Sequence, residues 1–225
     1  MDFSPLWISL KTAFLATIIT SIIGIFISYK MANYKGRGRG LIDGVFTLPI
    51  ILPPTVIGFF LLLICGKNGF VGKIFMSFNK NIIFSWSATV IAATVVAFPM
   101  MYRTCRSAFE QIDKNMISAA RTLGLSETKI FFKIAIPLAW PGIIGGLVLS
   151  FARALGEFGA VNALSKTRGE TFTLPLEIDA LYMSGTESSI TAAFAVSSIL
   201  VIIAVIVLVL RNIFEYRAKK KSDMV

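Results

Sequence analysis

Arg153 and Glu157 are two charged residues, four positions apart, in a stretch that is otherwise mostly apolar. If that stretch lies in a membrane, its ionisable side chains are candidates for function. A guanidinium offers a fork of hydrogen-bond donors that suits an oxyanion. Glu157 is one helical turn away, so an ion pair is the more ordinary interpretation, and its charge would partly cancel the attraction for an anion. The sequence favours a structural pair and leaves an anion contact as the alternative.

Composition indicates that a membrane surrounds much of the chain. Hydrophobic residues make up 56% of the 225 residues and charged residues 15%, with a mean hydropathy of +0.78. An ordinary soluble domain is about one quarter charged. We therefore predict a single all-α integral membrane domain over residues 1–225.

Five apolar stretches are long enough to cross the hydrocarbon core, which requires about 20 mainly apolar residues. They cover residues 8–31, 45–64, 82–102, 138–155 and 190–210. The fourth is interrupted by glycines and a proline. The expected fold is thus a bundle of five transmembrane helices.

Basic residues are concentrated after the first, third and fifth stretches, which all lie on one side of the membrane. These residues are Lys30, Lys35, Arg37 and Arg39, then Arg103, Arg106, Lys114, Arg121, Lys129 and Lys133, and finally Arg211, Arg217, Lys219, Lys220 and Lys221. On the other side, Lys67, Lys73, Lys80, Lys166 and Arg168 are offset by Glu170, Glu177, Asp179 and Glu187. The positive-inside rule makes the first side cytoplasmic, with the N-terminus outside and the C-terminus inside. The net charge of +10 is then a topology signal that requires no nucleic acid.

Metal, haem and cysteine–histidine chemistry find little support. Histidine is absent and the two cysteines are isolated. Cys65 falls near the outer end of the second stretch and Cys105 near the inner end of the third. The membrane core between those levels is about 30 Å thick, whereas the Cα atoms of a disulfide lie within roughly 7 Å. We expect two unpaired packing residues.

The fourth stretch carries a small residue at every fourth position, namely Gly142, Gly146, Ser150 and Ala154. Such a stripe lets two helix backbones approach closely in lipid. A contact within one subunit is the favoured interpretation, and a seam between two subunits is the alternative.

The second stretch contains Pro49, Pro53, Pro54 and Gly58, with Thr55 as the polar group beside them. Interior prolines remove backbone donors and kink a helix. Lipid cannot satisfy the carbonyls that are freed, so a break is tolerated where protein or a water-filled cavity surrounds it. A structural kink is one interpretation. We favour a segment that lines a pathway.

The loop at residues 109–137 is predicted to hold two short helices that meet at Gly124. The first presents an apolar face, whose members are Ile112, Met116, Ala119, Ala120 and Leu123. Gly124 suits the left-handed residue after a helix, Ser126 suits the cap of the second helix, and Pro137 is expected to close the segment. Ala119 and Ala120 would let a partner come close. An amphipathic helix resting on lipid headgroups is the alternative that periodicity leaves open.

This loop resembles the EAA loop of ABC-transporter permeases, in which Glu-Ala-Ala is followed by three residues, Gly, nine residues and Ile-x-Leu-Pro. The AA-x3-G-x9-I-x-I-P spacing fits from Ala119 to Pro137 without gaps. The chain departs from the pattern at Ser118, where Glu is common, and at Ile136. The resemblance implies a coupling helix that sits in a groove of a nucleotide-binding subunit. Its contact residues would be Ser118, Ala119, Ala120, Leu123, Gly124 and Pro137.

Further segments are similar to the molybdate and sulfate branch of these permeases. They are residues 52–58 with 66–72, residues 151–160, and residues 169–175. The resemblance implies a type I ABC importer permease for a tetrahedral oxyanion, with molybdate first, tungstate hardly distinguished from it, and sulfate as the alternative. The expected translocation residues are Pro53, Pro54, Thr55, Gly58, Ser150, Arg153 and Glu157.

The partners follow from the same resemblance. The chain has no G-x4-GK[ST] phosphate loop, so ATP and magnesium are expected in a separate cytosolic ATPase and no cofactor in this chain. Five helices are few for enclosing a pathway, so two copies are expected to pair about a two-fold axis. An extracytoplasmic binding protein would deliver the anion. A self-sufficient channel or secondary transporter is the rival class, but it would be expected to show carboxylates within the spans or internal repeats.

Overall fold

The structure, a computed structural model, describes residues 3–78, 81–165 and 171–222. Over these residues the chain is all-α. The helices are α1 Ser4–Asn33, α2 Arg39–Ile51, α3 Pro54–Cys65, α4 Phe70–Met76, α5 Trp86–Glu110, α6 Lys114–Thr122, α7 Glu127–Ile130, α8 Ile136–Leu155, α9 Gly159–Ser165, α10 Leu174–Met183 and α11 Glu187–Ser222, with a π turn at Phe131–Ala135 between α7 and α8. Lys80, Lys166, Arg168 and Glu170 lie outside the described residues.

The predicted spans all have counterparts, although one is not a straight helix. Four stretches in the described residues are long and apolar enough to cross a membrane: Ser4–Asn33, Trp86–Glu110, Glu127–Leu155 and Glu187–Ile213. The fifth is α2 followed by α3, which meet at an angle of 113°. The single span expected over residues 45–64 is therefore two half-helices. The third span also lies later than predicted, because residues 82–85 form a turn ahead of Trp86.

Helices α1 and α5 run side by side in the same direction. Trp86 Nε1 donates to Thr12 Oγ1 at 2.9 Å, and Ser28 Oγ donates to the Tyr102 carbonyl at 2.9 Å. Both pairs are 74 residues apart in sequence, so each step along one helix is matched by an equal step along the other. The contact needs small side chains. In α1 they are Thr12, Ala16, Thr20, Gly24 and Ser28, all buried.

Helix α8 packs against α5 in the opposite direction through the stripe that the sequence revealed. A Cβ atom on Gly146 would lie 2.8 Å from Met101 Sδ, and one on Gly142 would overlap the Ala108 methyl group. Ser150 Oγ donates to the Ala97 carbonyl at 3.4 Å. The stripe thus serves a contact within one subunit, as favoured from the sequence.

The prolines of the second stretch do break the helix, and the second half packs against α9. A buried cluster joins Ile57, Leu61 and Cys65 of α3 to Val161 and Leu164 of α9. Both cysteines are buried and free, as expected. The end of the bundle that carries α6 is called the loop end below.

Candidate coupling loop and translocation segment

Helix α6 is closed at both ends by local hydrogen bonds. At its start the Asp113 carboxylate accepts from the backbone N–H of Asn115 at 2.8 Å. At its end the N–H of Leu125 reaches the Ala120 carbonyl at 3.1 Å and the N–H of Gly124 reaches the Arg121 carbonyl at 2.9 Å. This is a Schellman motif, which requires a left-handed residue after the helix. Gly124 has φ of +78°, so the predicted turn is confirmed.

Helix α7 starts at the predicted cap. Ser126 Oγ accepts from the backbone N–H of Lys129 at 3.4 Å. Arg121 and Glu127 join α6 to α7 by two parallel hydrogen bonds of 2.7 and 3.1 Å. The hydrogen bonds to Glu127 raise the pKa of Arg121 above its ordinary value. Both side chains are exposed, so the pair orients the turn and adds little stability.

Pro137 does not close the loop, and this expectation was wrong. The helix continues from Glu127 to Leu155, and Pro137 occupies the second position of α8. The π turn before it explains the tolerance. The N–H of Ile136 bonds to the Phe131 carbonyl, five residues back. A π register of this kind accommodates a residue without a donor where a regular turn would clash. The first predicted helix also begins later, since Phe109 and Glu110 still belong to α5.

The two faces of α6 differ in exposure and chemistry. Leu123 is 82% exposed and Met116 is 49% exposed, and Ala119 lies on the same outward side. Ala120 is buried within the chain, so only one of the paired alanines faces outward. Ser118 lines a cavity beneath the helix together with Ile117 and Arg121.

The expected translocation segment is built around the break between α2 and α3. Pro53 caps α3, and Pro54 occupies its first position, where no backbone donor is required. Gly58 and Gly159 allow α3 to meet the start of α9. A Cβ atom on Gly58 would lie 2.8 Å from Ala160 Cα, and one on Gly159 would lie 3.0 Å from the Thr55 nitrogen. In contrast, α2 has no buried residue, and its contact with α5 is limited to one side, where Phe46 packs against Phe98 and Tyr102.

The structure pairs Arg153 with Glu157 across 2.6 Å, as an ion pair without hydrogen-bond alignment. Glu157 is 1% exposed and Arg153 is 29% exposed at the side chain. The other oxygen of Glu157 accepts from the N–H of Ala160 at 2.8 Å and so caps the start of α9. The favoured structural role of the pair therefore has a geometric basis.

Several expected translocation residues thus come together and one does not. Pro54, Thr55, Gly58 and Glu157 surround the first turn of α9, with Arg153 attached through Glu157. Ser150 is buried against α5. The residues expected to contact an ATPase lie at the loop end. No cluster suited to a metal ion occurs among the described residues.

Comparison with known proteins identifies the family of the chain. A family model described as the inner membrane component of binding-protein-dependent transport systems matches residues 7–220. The chain belongs to this family. It is similar to the molybdenum transport system permease protein ModB of Haemophilus influenzae, with 39% identity over 223 residues, 98% of this chain and 96% of that one. The sulfate transport system permease protein CysW of Synechocystis is 34% identical over 95% of this chain and 77% of its own length.

Solved structures share the fold. A structure of the MetNI methionine ABC transporter in inward-facing conformations matches with a TM-score of 0.71 at 17% identity, covering 95% of this chain and 94% of that one. A bacterial alginate ABC transporter, in complex with a periplasmic protein that carries an alginate pentasaccharide, matches with a TM-score of 0.73 at 14% identity, over 96% and 78% of the two chains. The permease therefore has the fold of a type I ABC importer subunit and is a multi-pass membrane protein.

One group of residues in this permease was missed by the sequence analysis. Arg106 pairs with Asp43 of α2, and Tyr102 Oη donates to the same carboxylate at 2.8 Å. Glu110 binds Arg106 at 2.9 Å and also pairs with Arg39. The group ties α2 to the helix that leads into α6. Opposite charges four residues apart, in Arg39 with Asp43 and in Arg106 with Glu110, were the available signal.

Proposed function

We propose that this permease is the membrane-spanning subunit of an ABC importer that moves molybdate into the cell. The observation that carries the proposal is the 39% identity to a molybdenum permease across nearly the whole of both chains. The match to a sulfate permease is weaker and covers less of that longer protein. Tungstate is the natural second substrate, because the resemblance hardly separates the two anions.

Energy reaches the permease through α6. ATP is hydrolysed with magnesium by a separate cytosolic ATPase, and α6 docks in a groove of that subunit. The outward Met116, Ala119 and Leu123 suit an apolar groove, and Gly124 fixes the direction in which the chain leaves it. Ala120 packs this helix against the rest of the chain, while Ser118 and Pro137 are kept as further candidates for contact with the ATPase. The charged group of Arg39, Asp43, Arg106 and Glu110 then passes its movement to α2.

The anion crosses between two copies of the chain. A break in a helix is tolerated in a membrane where protein or water surrounds it. The lack of buried residues in α2 and the break at Pro53 and Pro54 support a pathway lined by this segment, with Thr55 and Gly58 beside it. Arg153 and Glu157 belong to the same region, whereas Ser150 is buried where α8 meets α5 and would act only through that contact. Arg153 offers the anion a cation that Glu157 holds in position.

Transport proceeds by alternating access. ATP-driven closure of the ATPase subunits rocks the paired permeases and opens the cavity to one side at a time. An extracytoplasmic binding protein supplies most of the recognition, because a tight site at mid-membrane would slow release inward. The loop end faces the cytoplasm, with the N-terminus outside and the C-terminus inside, as the basic residues favour.

The test is uptake by proteoliposomes that contain the permease, its ATPase and its binding protein. Labelled molybdate should accumulate only when ATP is present on the ATPase side. Excess tungstate should compete strongly and excess sulfate weakly. Uptake of sulfate but not of molybdate would show that the permease belongs to the sulfate branch. Uptake without the ATPase would contradict the ABC mechanism and indicate a self-sufficient transporter.

A further inference from the structure

A cavity of about 730 Å³ lies at the loop end, enclosed by the end of α1, the end of α5 and the inner face of α6. Five cationic side chains and one carboxylate line it. They are Lys35, Arg39, Arg106, Lys114, Arg121 and Glu110. Tyr29, Asn33 and Ser118 add polar groups between them. The cavity is distinct from the outward face of α6 and from the break between α2 and α3.

The carboxylates near these cations do not balance them. Glu110 is shared by Arg39 and Arg106, Asp43 pairs with Arg106, and Glu127 pairs with Arg121. Asp113 stands next to Lys114 but caps α6 and lines another cavity. Among the described residues, Lys35 and Lys114 have no ion-pair partner. The lining with its partners thus retains two positive charges in excess.

This excess, in a cavity at the end of two membrane helices, matches a phosphate group. Arginine forks and lysine ammonium groups are the donors that phosphate prefers. Basic pockets between helices at the cytoplasmic end of a membrane protein commonly hold lipid headgroups. We propose that the cavity binds a phosphate-type anion, supplied by the headgroup of an anionic phospholipid or by free phosphate. The bound anion joins α6 to the ends of α1 and α5.

Two variants remove the site in different ways. Lys35→Gln with Lys114→Gln removes both unpaired cations and leaves the ion pairs intact. Ser118→Glu places a negative charge on the cavity lining. The matched control is Lys129→Gln with Lys133→Gln, which loses the same charge from exposed positions of the same loop, outside the cavity.

The lipid arm uses the full chain, purified from a mixture of phosphatidylglycerol and phosphatidylcholine and examined by native mass spectrometry. The wild type and the control should retain phosphatidylglycerol in preference to phosphatidylcholine. Affinity for it should fall about thirtyfold in the Lys35 and Lys114 variant, from the strength with which each surface lysine holds an anionic lipid. Ser118→Glu should also lose it.

The phosphate arm uses nanodiscs of phosphatidylcholine alone. A rise in the unfolding temperature on adding inorganic phosphate, lost in the Lys35 and Lys114 variant, would identify free phosphate as the source. Equal losses in the control pair would overturn the site in favour of diffuse surface charge. Absence of both effects in the wild type would overturn it as well. Release of the lipid on assembly with the ATPase would assign these cations to that subunit instead.

Discussion

At the scale of single residues, Gly124 determines the geometry of the turn between α6 and α7, which we propose couples the permease to its ATPase. Its φ of +78° lies where a β-branched side chain is strongly disfavoured, and a Cβ atom there would meet no neighbour. A substitution would therefore disturb the backbone conformation without creating a clash. The effect should stay within the turn between α6 and α7.

Gly124→Val should uncouple the transporter while the spans still insert. Strain of about 1–3 kcal/mol is enough to shift one turn, and α6 would leave the groove at a different angle. We expect normal amounts of assembled permease with loss of substrate-stimulated ATP hydrolysis and of transport. The matched control is Gly185→Val, because Gly185 has φ of +69° and equally open surroundings outside the loop. Full transport by Gly124→Val would remove α6 from the coupling role.

Glu157 separates two contributions, the ion pair with Arg153 and the cap on α9. Gln at this position keeps an oxygen for the Ala160 N–H but loses the charge, whereas Ala loses both. Since an unsatisfied buried donor costs about 1–3 kcal/mol, Glu157→Ala should lower the free energy of unfolding by more than Glu157→Gln. Thermal unfolding of both variants in nanodiscs measures the difference. Equal losses would mean that the charge, rather than the acceptor, holds this region.

Local signals explain which residues were predictable. Gly124 and Ser126 act within four residues of their own positions, so the sequence carries their roles directly. The roles of Asp43 and Arg106 depend on a contact across 63 residues, which a single sequence does not display. The sequence likewise did not show that Ala120 is buried and Ala119 is exposed, because this depends on how α6 is oriented against the rest of the protein.

At the scale of elements, the contact between α1 and α5 is the most extensive helix contact among the described residues. Met101 of α5 lies between two glycines, Gly24 of α1 and Gly146 of α8, and is fully buried. A Cβ atom on Gly24 would lie 2.9 Å from Met101 Cγ. Because Gly24 and Gly146 have no side chains, α1, α5 and α8 can pack closely around Met101.

Gly24→Leu should force α1 away from α5. Overpacking of a tight interior costs about 1–3 kcal/mol, and the hydrogen bonds at Thr12 and Ser28 would lengthen with it. We expect a lower unfolding temperature and reduced yield of folded permease. Ile22→Leu, which places the same side chain on the exposed face of the same helix, should leave both unchanged. An unaltered Gly24→Leu protein would contradict the close packing of α1 against α5.

Length and hydropathy predicted the five spans, and prolines predicted the break in the second. They did not predict its 113° angle, which depends on the packing of α3 against α9. The short helices α9 and α10 escaped notice because each is too short to show a clear period. The prediction that Pro137 ends the loop was wrong for a related reason. The amino-acid types give no indication of the π turn before it, which lets the helix continue through the proline. The stripe of α1 had the same four-residue spacing as that of α8 and was open to prediction.

At the scale of the whole molecule, orientation is the property that every functional proposal requires. A cysteine at Lys129 should react with a membrane-impermeant maleimide only from the cytoplasmic side, and a cysteine at Lys67 only from outside. Both positions are exposed, whereas the native Cys65 and Cys105 are buried and should contribute little background. Reversed labelling, or equal labelling from both sides, would be incompatible with the proposed topology.

Because residues of α1 contact residues 74 positions later in α5, their partners are synthesised only after a delay. A ribosome adding about 5–20 residues per second needs roughly 4–15 s to make the intervening chain. During that interval α1 sits in the bilayer with Thr12, Thr20 and Ser28 lacking the helix that will later cover them. Hydroxyls that bond back to their own helix, as Thr17 does to the Ala13 carbonyl at 2.6 Å, keep such a segment soluble in lipid while it waits. The first helix of this permease is therefore built for two environments, lipid early in its life and a protein neighbour afterwards.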